Sequence, residues 1–360
     1  MTPTCPSLKS IPVEAPRILS VGTANPPDKY TQEELLEYYK ETDWKIRSIF
    51  LGGHISTRHL YLPEPVNGMM PEETNEELIQ KHLRGSLEIG SQAISECLEP
   101  LGLAPYDIDF ICCLSSTGFL CPGITAHIIK HMGFRENVRR ADILGMGCNA
   151  GINGLQAVTD FANANPGKYA LLVCIEICSA AYVYNKNINT AVVNSLFGDG
   201  AAAIVVCRDS RLTWQDGPRV LDFEPHIIPD AIDAMRFGLE DNKLSFYLDR
   251  DIPYVIGMNV LKPISRLLGR HQIKKRHIQH WLVHSGGKKV IDAIAYNLGL
   301  TRHDLRHTIH VLKNFGNLSS ASFLFSYKEL LEETSFQEAD QAVMITMGPG
   351  TSIETALLQW

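Results

Sequence analysis

The chain repeats itself. Ile108-Asp-Phe-Ile-Cys-Cys-Leu-Ser115 reads as a buried strand running into a small-residue loop, followed by a helix from about Ile124 to Met132 that Gly133 closes. Ile278-Gln-His-Trp-Leu-Val-His-Ser285 is again a strand, followed by Gly286-Gly287 and a helix through Ile291, Ala295 and Leu298 that ends at Gly299. Matching Ser115 with Ser285 sets an offset of about 170 residues, and the next elements keep it. Gly147-Cys148-Asn149-Ala150 opens a helix with apolar Ile152, Leu155, Val158 and Ala162, and the strand Tyr169 to Ile175 follows. Gly316-Asn317-Leu318-Ser319 opens its counterpart through Phe323, Tyr327 and Leu331, followed by the strand Gln341 to Met347.

Two stacked copies of a strand-helix-strand unit are the economical reading, an α/β fold of mostly parallel sheets covered by helices. Polar Asp209 to Gly217 places a boundary near Gln215, giving halves 1–215 and 216–360 that share one core. Two further helices are expected. One runs from about Gln32 to Phe50 with Thr31 and Glu34 as a capping box, and the other from Glu76 to Leu98 with Ile79, Leu83, Leu87 and Ile94 on one face.

The 360 residues carry a net charge of −7 with no Lys/Arg-rich run, which points away from nucleic acid and towards a small molecule or a second copy of the chain. No stretch approaches the length of a spanning helix, and Pro3, Pro6, Pro12 and Pro16 stand where a signal peptide would be apolar, so no membrane is expected and the location is read as cytoplasmic. Nine cysteines with no CxxC pair make neither a disulfide framework nor a zinc ribbon, and no metal is expected.

Ligands in such folds bind at strand C-termini and helix N-termini, where the two copies can meet. Cys148 sits at a helix start, where unpaired N–H groups and the helix dipole favour a thiolate. Asn317 occupies the matching position of the second half, and His284 ends the other duplicated strand. Taken singly, each has an ordinary reading as a core thiol, a helix cap or a strand-end polar group. If the halves pack face to face, they become a cysteine nucleophile, a histidine able to hold it as an ion pair, and an amide aimed at a developing oxyanion. Gly198-Asp-Gly precedes a strand rather than a helix, so it is not a dinucleotide fingerprint, and Gly286-Gly-Lys-Lys289 is not a phosphate-binding loop. Gly348-Pro-Gly-Thr-Ser-Ile353 reads as a tight turn that brings backbone close to the core or to a substrate.

Gly147-Cys148-Asn149-Ala150-Gly151, Leu196-Phe-Gly-Asp-Gly-Ala-Ala-Ala203, His284-Ser-Gly-Gly287, Gly316-Asn-Leu-Ser-Ser320 and Gly348-Pro-Gly350, in this order, resemble the chalcone synthase family of type III polyketide synthases. Ser115-Ser-Thr-Gly-Phe-Leu120 and Trp281-Leu-Val-His-Ser-Gly-Gly-Lys-Lys289 look like its bacterial subgroup that makes 3,5-dihydroxyphenylacetyl-CoA for glycopeptide antibiotics. The resemblance implies the thiolase fold, a five-layered αβαβα duplication. It implies an acyltransferase of secondary metabolism that takes malonyl-CoA and other acyl-CoA thioesters as substrates, with no further cofactor, and works as a homodimer. Cys148 would be the nucleophile, with His284 and Asn317 forming the oxyanion hole. Phe197 and Phe246 would gate the cavity, Ser319 would line it, and Cys121 would lie in a loop reaching towards the partner's cavity. Glu176 matches a buried family glutamate. CoA phosphates would be met from the stretch Lys45 to Arg58, where Lys45 is retained, Ser48 and Gly52 replace basic residues, and Arg47 is a substitute. Cys178 and Ala181 replace two cavity threonines, which argues against a flavonoid-like product. The alternative on the same residues is a thiolase-fold enzyme that loads a non-malonyl acyl group on Cys148 and passes it to a β-keto or aromatic acceptor.

Overall fold

The computed structural model describes residues 14–68, 70–240 and 242–360. Cys5 and the prolines before residue 14 lie outside the described residues. In chain order the first half contains β1 (Arg17–Ala24), β2 (Lys29–Thr31), α1 (Gln32–Tyr38), α2 (Trp44–Gly52), β3 (Thr57–His59), α3 (Asn75–Leu98), β4 (Phe110–Ser115), α4 (Ile124–Met132) and β5 (Arg139–Leu144). It continues with α5 (Ala150–Ala164), β6 (Ala170–Glu176), α6 (Cys178–Ala181), α7 (Ile188–Leu196) and β7 (Gly200–Cys207). The second half contains β8 (Arg219–Ile227), β9 (Met235–Glu240), β10 (Lys243–Leu248), α8 (Ile252–Asn259), α9 (Leu261–Arg270), β11 (His280–Val283), α10 (Lys288–Leu298), α11 (Arg306–Phe315), α12 (Ser322–Glu333), β12 (Gln341–Gly348) and β13 (Ser352–Gln359).

Nine strands line up in the order β11-β12-β13-β8-β1-β7-β6-β4-β5. The sheet is mixed. Strands β4 and β5, β4 and β6, and β11 and β12 pair in parallel, each across an intervening helix, whereas β1, β7, β8 and β13 pair antiparallel. The halves join where β1 meets β8, through the Arg17/Arg219 bridge and the Ile18 N–H to Pro218 and Val220 N–H to Pro16 hydrogen bonds of 3.0 and 2.8 Å.

Because side chains alternate along a strand, one that is apolar throughout can be buried on both faces. In β6, Leu172 and Cys174 enter one core and Leu171, Val173 and Ile175 another. In β12, Ala342 and Met344 face the first core, while Val343 and Ile345 face a third. The shared core holds α5 and α12, through Leu155, Val158, Phe323 and Tyr327, between the strands of the two halves. Ile89 and Ile94 of α3 cover the first half, and Ile256, Leu267, Ile291 and Leu312 of the later helices cover the second. The order helix, sheet, helix, sheet, helix is the five-layered duplication expected. Among the described residues, no helix is long and apolar enough to cross a membrane.

Two local expectations change. The helix expected from Gln32 to Phe50 is two helices. The Thr31/Glu34 capping box starts α1, the chain turns through Lys40 at φ 49°, and Asp43 caps α2 by accepting from the Lys45 and Ile46 N–H groups. Helix α3 buries Leu78, His82, Gly85, Ser86, Ile89 and Ala93 rather than a face carrying Ile79, which is 48 % exposed. Small residues win that face because they let the helix approach closely: a Cβ at Gly90 would lie 2.7 Å from Ile175, and one at Gly85 2.8 Å from Tyr61.

The middle layer has a similar contact. A Cβ at Gly151 of α5 would lie 2.2 Å from the Phe323 ring and 2.7 Å from the Ser320 carbonyl. Gly151→Ala is therefore expected to destabilise the protein by about 1–3 kcal/mol through overpacking. Urea unfolding checks this, and an unchanged midpoint would contradict it.

Candidate active site

Cys148 lies in a single turn, Gly147–Asn149, that leads into α5. Gly147 has φ 71°, and a Cβ there would strike Pro349 at 2.2 Å; one at Gly348 would strike Asn149 at the same distance. The Gly348-Pro-Gly350 turn thus packs directly on the nucleophile turn, and Asn149 Nδ2 donates to Ser352 Oγ at 2.6 Å. Cys148 keeps 8 % exposure, against 0–2 % for the core cysteines Cys97, Cys112, Cys113, Cys174, Cys178 and Cys207.

The second half brings Asn317 and Ser319 against that thiol, where both favour its ionised form. Asn317 has a fixed orientation. Its Oδ1 accepts the Ser319 N–H at 2.8 Å, which turns Nδ2, a donor, towards the site. Ser319 holds a left-handed φ of 49°, a strained setting for a non-glycine residue. Its hydroxyl is buried, near enough to Cys148 and Glu176 to stabilise charge on either, yet aligned with neither for a hydrogen bond. Glu176, fully buried, accepts from the Ser116 N–H at 2.9 Å and from Ser320 Oγ at 2.5 Å, so one carboxyl ties the end of β4 to the start of α12. Burial raises its pKa despite those donors.

His284 ends β11, its N–H bonded to Ile345 O at 2.8 Å, and Ser285 Oγ donates to Gly316 O at 3.3 Å, which holds the histidine loop to the asparagine loop. The His284 ring is buried, and among the described residues its Nδ1 has no hydrogen-bond partner. Burial pushes the imidazole down to about 3 and the Cys148 thiol up to about 12. The thiolate expected from the helix start is thus costly as an isolated charge: desolvation outweighs the donors around it, as it does for an isolated imidazolium at His284.

Phe197 and Phe246 share one apolar cluster with Cys148, their rings edge to face at 5.9 Å. Sequence reasoning missed Tyr182 and Phe237, which complete the aromatic wall at 4.7 Å from Phe197 and 5.1 Å from Phe246. Arg58, at the end of the stretch expected to meet CoA phosphates, lies on β3 and is fully buried, donating to Phe197 O at 2.7 Å and Gln32 Oε1 at 2.8 Å. Leu196 and Gly198 flank Phe197 and bond to Asn317, N–H to Leu196 O at 2.9 Å and O to Gly198 N–H at 3.0 Å. A cavity of about 360 Å³ lies beyond Cys178, Tyr182 and Phe197, which form its inner wall. Lys45 and Cys121 are exposed, and Arg47 donates to Glu41 O at 3.1 Å; none of the three touches the Cys148 cluster. Among the described residues, no group of three His, Cys, Asp or Glu side chains is placed to hold a metal ion.

Comparison with known proteins gives this geometry a family. The descriptions "Chalcone and stilbene synthases, N-terminal domain" and "C-terminal domain" match residues 13–210 and 223–360. The chain belongs to the chalcone and stilbene synthase family. It is a type III polyketide synthase, an acyltransferase that uses CoA thioesters and needs no resident cofactor. Relatives named 3,5-dihydroxyphenylacetyl-CoA synthase from Streptomyces toyocaensis and Amycolatopsis orientalis are 47 % and 48 % identical, covering 96 % of this chain and 90 % and 94 % of theirs. Among solved structures, 1,3,6,8-tetrahydroxynaphthalene synthase from Streptomyces coelicolor superposes with a TM-score of 0.86 at 26 % identity, over 96 % of this chain and 99 % of that one. PKS-I from the brown alga Ectocarpus siliculosus gives 0.86 at 25 % identity, over 98 % and 100 %.

Behind the nucleophile turn, burial pushes the Glu354 carboxyl up to about 7, against a smaller opposing pull from the Asn149 and Asn153 amides. A carboxyl whose folded pKa exceeds its unfolded value of about 4.3 binds its proton more tightly in the fold. Its contribution to stability is therefore full below the unfolded value and is lost as pH rises through the folded one. Glu354→Gln is expected to gain thermal stability relative to wild type between about pH 5 and pH 8. A difference in melting temperature that is constant over that range would contradict it.

Proposed function

We propose that the protein condenses malonyl-CoA units on Cys148 and cyclises the chain to 3,5-dihydroxyphenylacetyl-CoA. The observation that carries the catalytic assignment is the fixed amide of Asn317, whose Nδ2 faces the thiol because Oδ1 is taken by the Ser319 N–H. The product assignment rests on the relatives of that name, at 47–48 % identity over nearly the whole chain.

The chemistry follows from a buried site in which charge is cheapest when made in pairs. Cys148 sulfur attacks an acyl-CoA carbonyl, its proton passes to His284, and CoA leaves. A second malonyl-CoA then loses CO2, and its electron pair becomes an enolate whose oxygen is held by the imidazole N–H and the Asn317 amide. The enolate carbon attacks the acyl-cysteine, expels the Cys148 thiolate and lengthens the chain by two carbons. Decarboxylation makes the carbanion without a base, so the site needs donors rather than a proton acceptor. Phe197 and Phe246 exclude water above the thioester, and Ser319 Oγ offers a free hydroxyl to the intermediate.

We infer that Lys45 meets the CoA phosphates, being exposed, whereas Arg47 is tied to Glu41. A homodimer is supported by the loop carrying Cys121 and Phe119, the latter 76 % exposed. The two copies of the repeat are taken as residues 1–215 and 216–360, and the working location as the cytoplasm, in keeping with the free state of every described cysteine.

Incubation with malonyl-CoA alone is expected to give a dihydroxyphenylacetyl thioester or its acid by mass spectrometry. Cys148→Ala should form no acyl adduct. Asn317→Ala should still load but lose decarboxylation by about 10²–10³-fold, and His284→Ala should lose decarboxylation to the same extent and load more slowly as well. Normal extension by any of the three variants would overturn the residue roles; an adduct formed only from another acyl-CoA would replace malonyl priming with acyl transfer. In a separate measurement, iodoacetamide alkylation of Cys148 should have its midpoint below the free-thiol value of about 8.5 in wild type. In His284→Gln it should move upward, the direction in which burial pushes this thiol. Identical profiles would exclude His284 as the charge partner.

A further inference from the structure

Arg17 and Arg219 stand directly opposite each other at the bridge between β1 and β8, where the two halves of the sheet meet. Like charges facing across antiparallel strands destabilise the pairing, yet the chain places two guanidiniums there and gives each a single neutral acceptor. Arg17 Nη1 donates to Gly217 O at 2.5 Å, and Arg219 Nη2 donates to Gln359 Oε1 at 2.6 Å. Among the described residues neither arginine has a carboxylate within ion-pairing distance, and Arg219 Nε is buried without a partner. Burial and the neighbouring Arg219 charge push the Arg17 pKa down, and the Asp216 carboxylate opposes them only in part.

Both side chains line a cavity of about 420 Å³. Trp360, itself buried, stacks on Phe336 at 4.0 Å and nearly parallel, so one wall is flat and stiff; Trp214 packs against the shared core beside it. The nearby carboxylates do not fill the space between the guanidiniums. Asp216 accepts from Thr213 N–H and Oγ1 at 2.7 and 2.9 Å, and Glu338 is exposed at the rim. Residues 1–13 contain no Asp or Glu that could supply a counter-charge.

We propose that this cavity binds a small organic oxyanion, with a phosphate or carboxylate group held between Arg17 and Arg219 and its body against Trp214 and Trp360. Guanidinium forks match the geometry of both anions. Because the site straddles the seam of the two halves, an occupied cavity resists their separation and raises the unfolding temperature by mass action.

The test uses wild-type protein, Arg17→Gln, Arg219→Gln and the exposed control Arg302→Gln, in phosphate-free buffer at constant ionic strength. Each is titrated with inorganic phosphate and, separately, with phenylacetate, and followed by melting temperature and calorimetry. Wild type and the control should show a saturable rise with at least one probe, and both cavity variants a dissociation constant at least tenfold weaker. The probe that saturates at lower concentration identifies the anion as phosphate or carboxylate. No saturable response in wild type to either probe overturns the proposal, as does unchanged binding in the variants. If one variant does not fold, the other decides.

Discussion

Everything chemical in this molecule depends on how closely α5 and α12 approach in the middle layer. Gly151 has no side chain because the Phe323 ring and the Ser320 carbonyl occupy that space. Cys148 is three residues before that contact on one helix, and Asn317 and Ser319 lie just before it on the other. One helix–helix contact therefore sets the distance between nucleophile and donor, and Glu176 fixes the same junction from the side by accepting from Ser116 and Ser320. A larger residue at position 151 would separate the halves at the point where their chemistry meets.

Burial then dictates the electrostatics. A pocket walled by Phe197, Phe246 and Tyr182 penalises any lone charge, which is why the thiol sits high and the imidazole low. Charge in such a site is cheapest when made in pairs or spread over prepared donors. A neutral histidine and a fixed amide suit a reaction whose negative charge appears only when CO2 departs.

The duplication was legible in the sequence because strands buried on both faces leave long apolar runs, and because matched elements keep their spacing. Cys148, Asn317 and His284 were legible for the same reason: each stands at the end of an element whose twin could be found. The break at Lys40 was not, since Asp43 starts a second helix inside a sequence that otherwise reads as helical throughout. The buried face of α3 was hidden because close approach, decided by Gly85 and Gly90 against Tyr61 and Ile175, overrode hydrophobicity. Arg58, Tyr182 and Phe237 owe their places to contacts between segments distant in the chain, which no local pattern records. The thiolate expected at the helix start meets a cost that a dipole argument does not count, the loss of water around it.

Phe197 and Asn317 are bound into one short backbone ladder, with Arg58 gripping the Phe197 carbonyl from behind. The door of the pocket and the donor inside it are therefore not separable parts. Substitutions that reshape the entrance to admit a different acyl group also strain the strand that aims the amide, so substrate range and turnover are inherited together. Diversification is easier at Cys178 and Ala181, on a wall that this ladder does not hold.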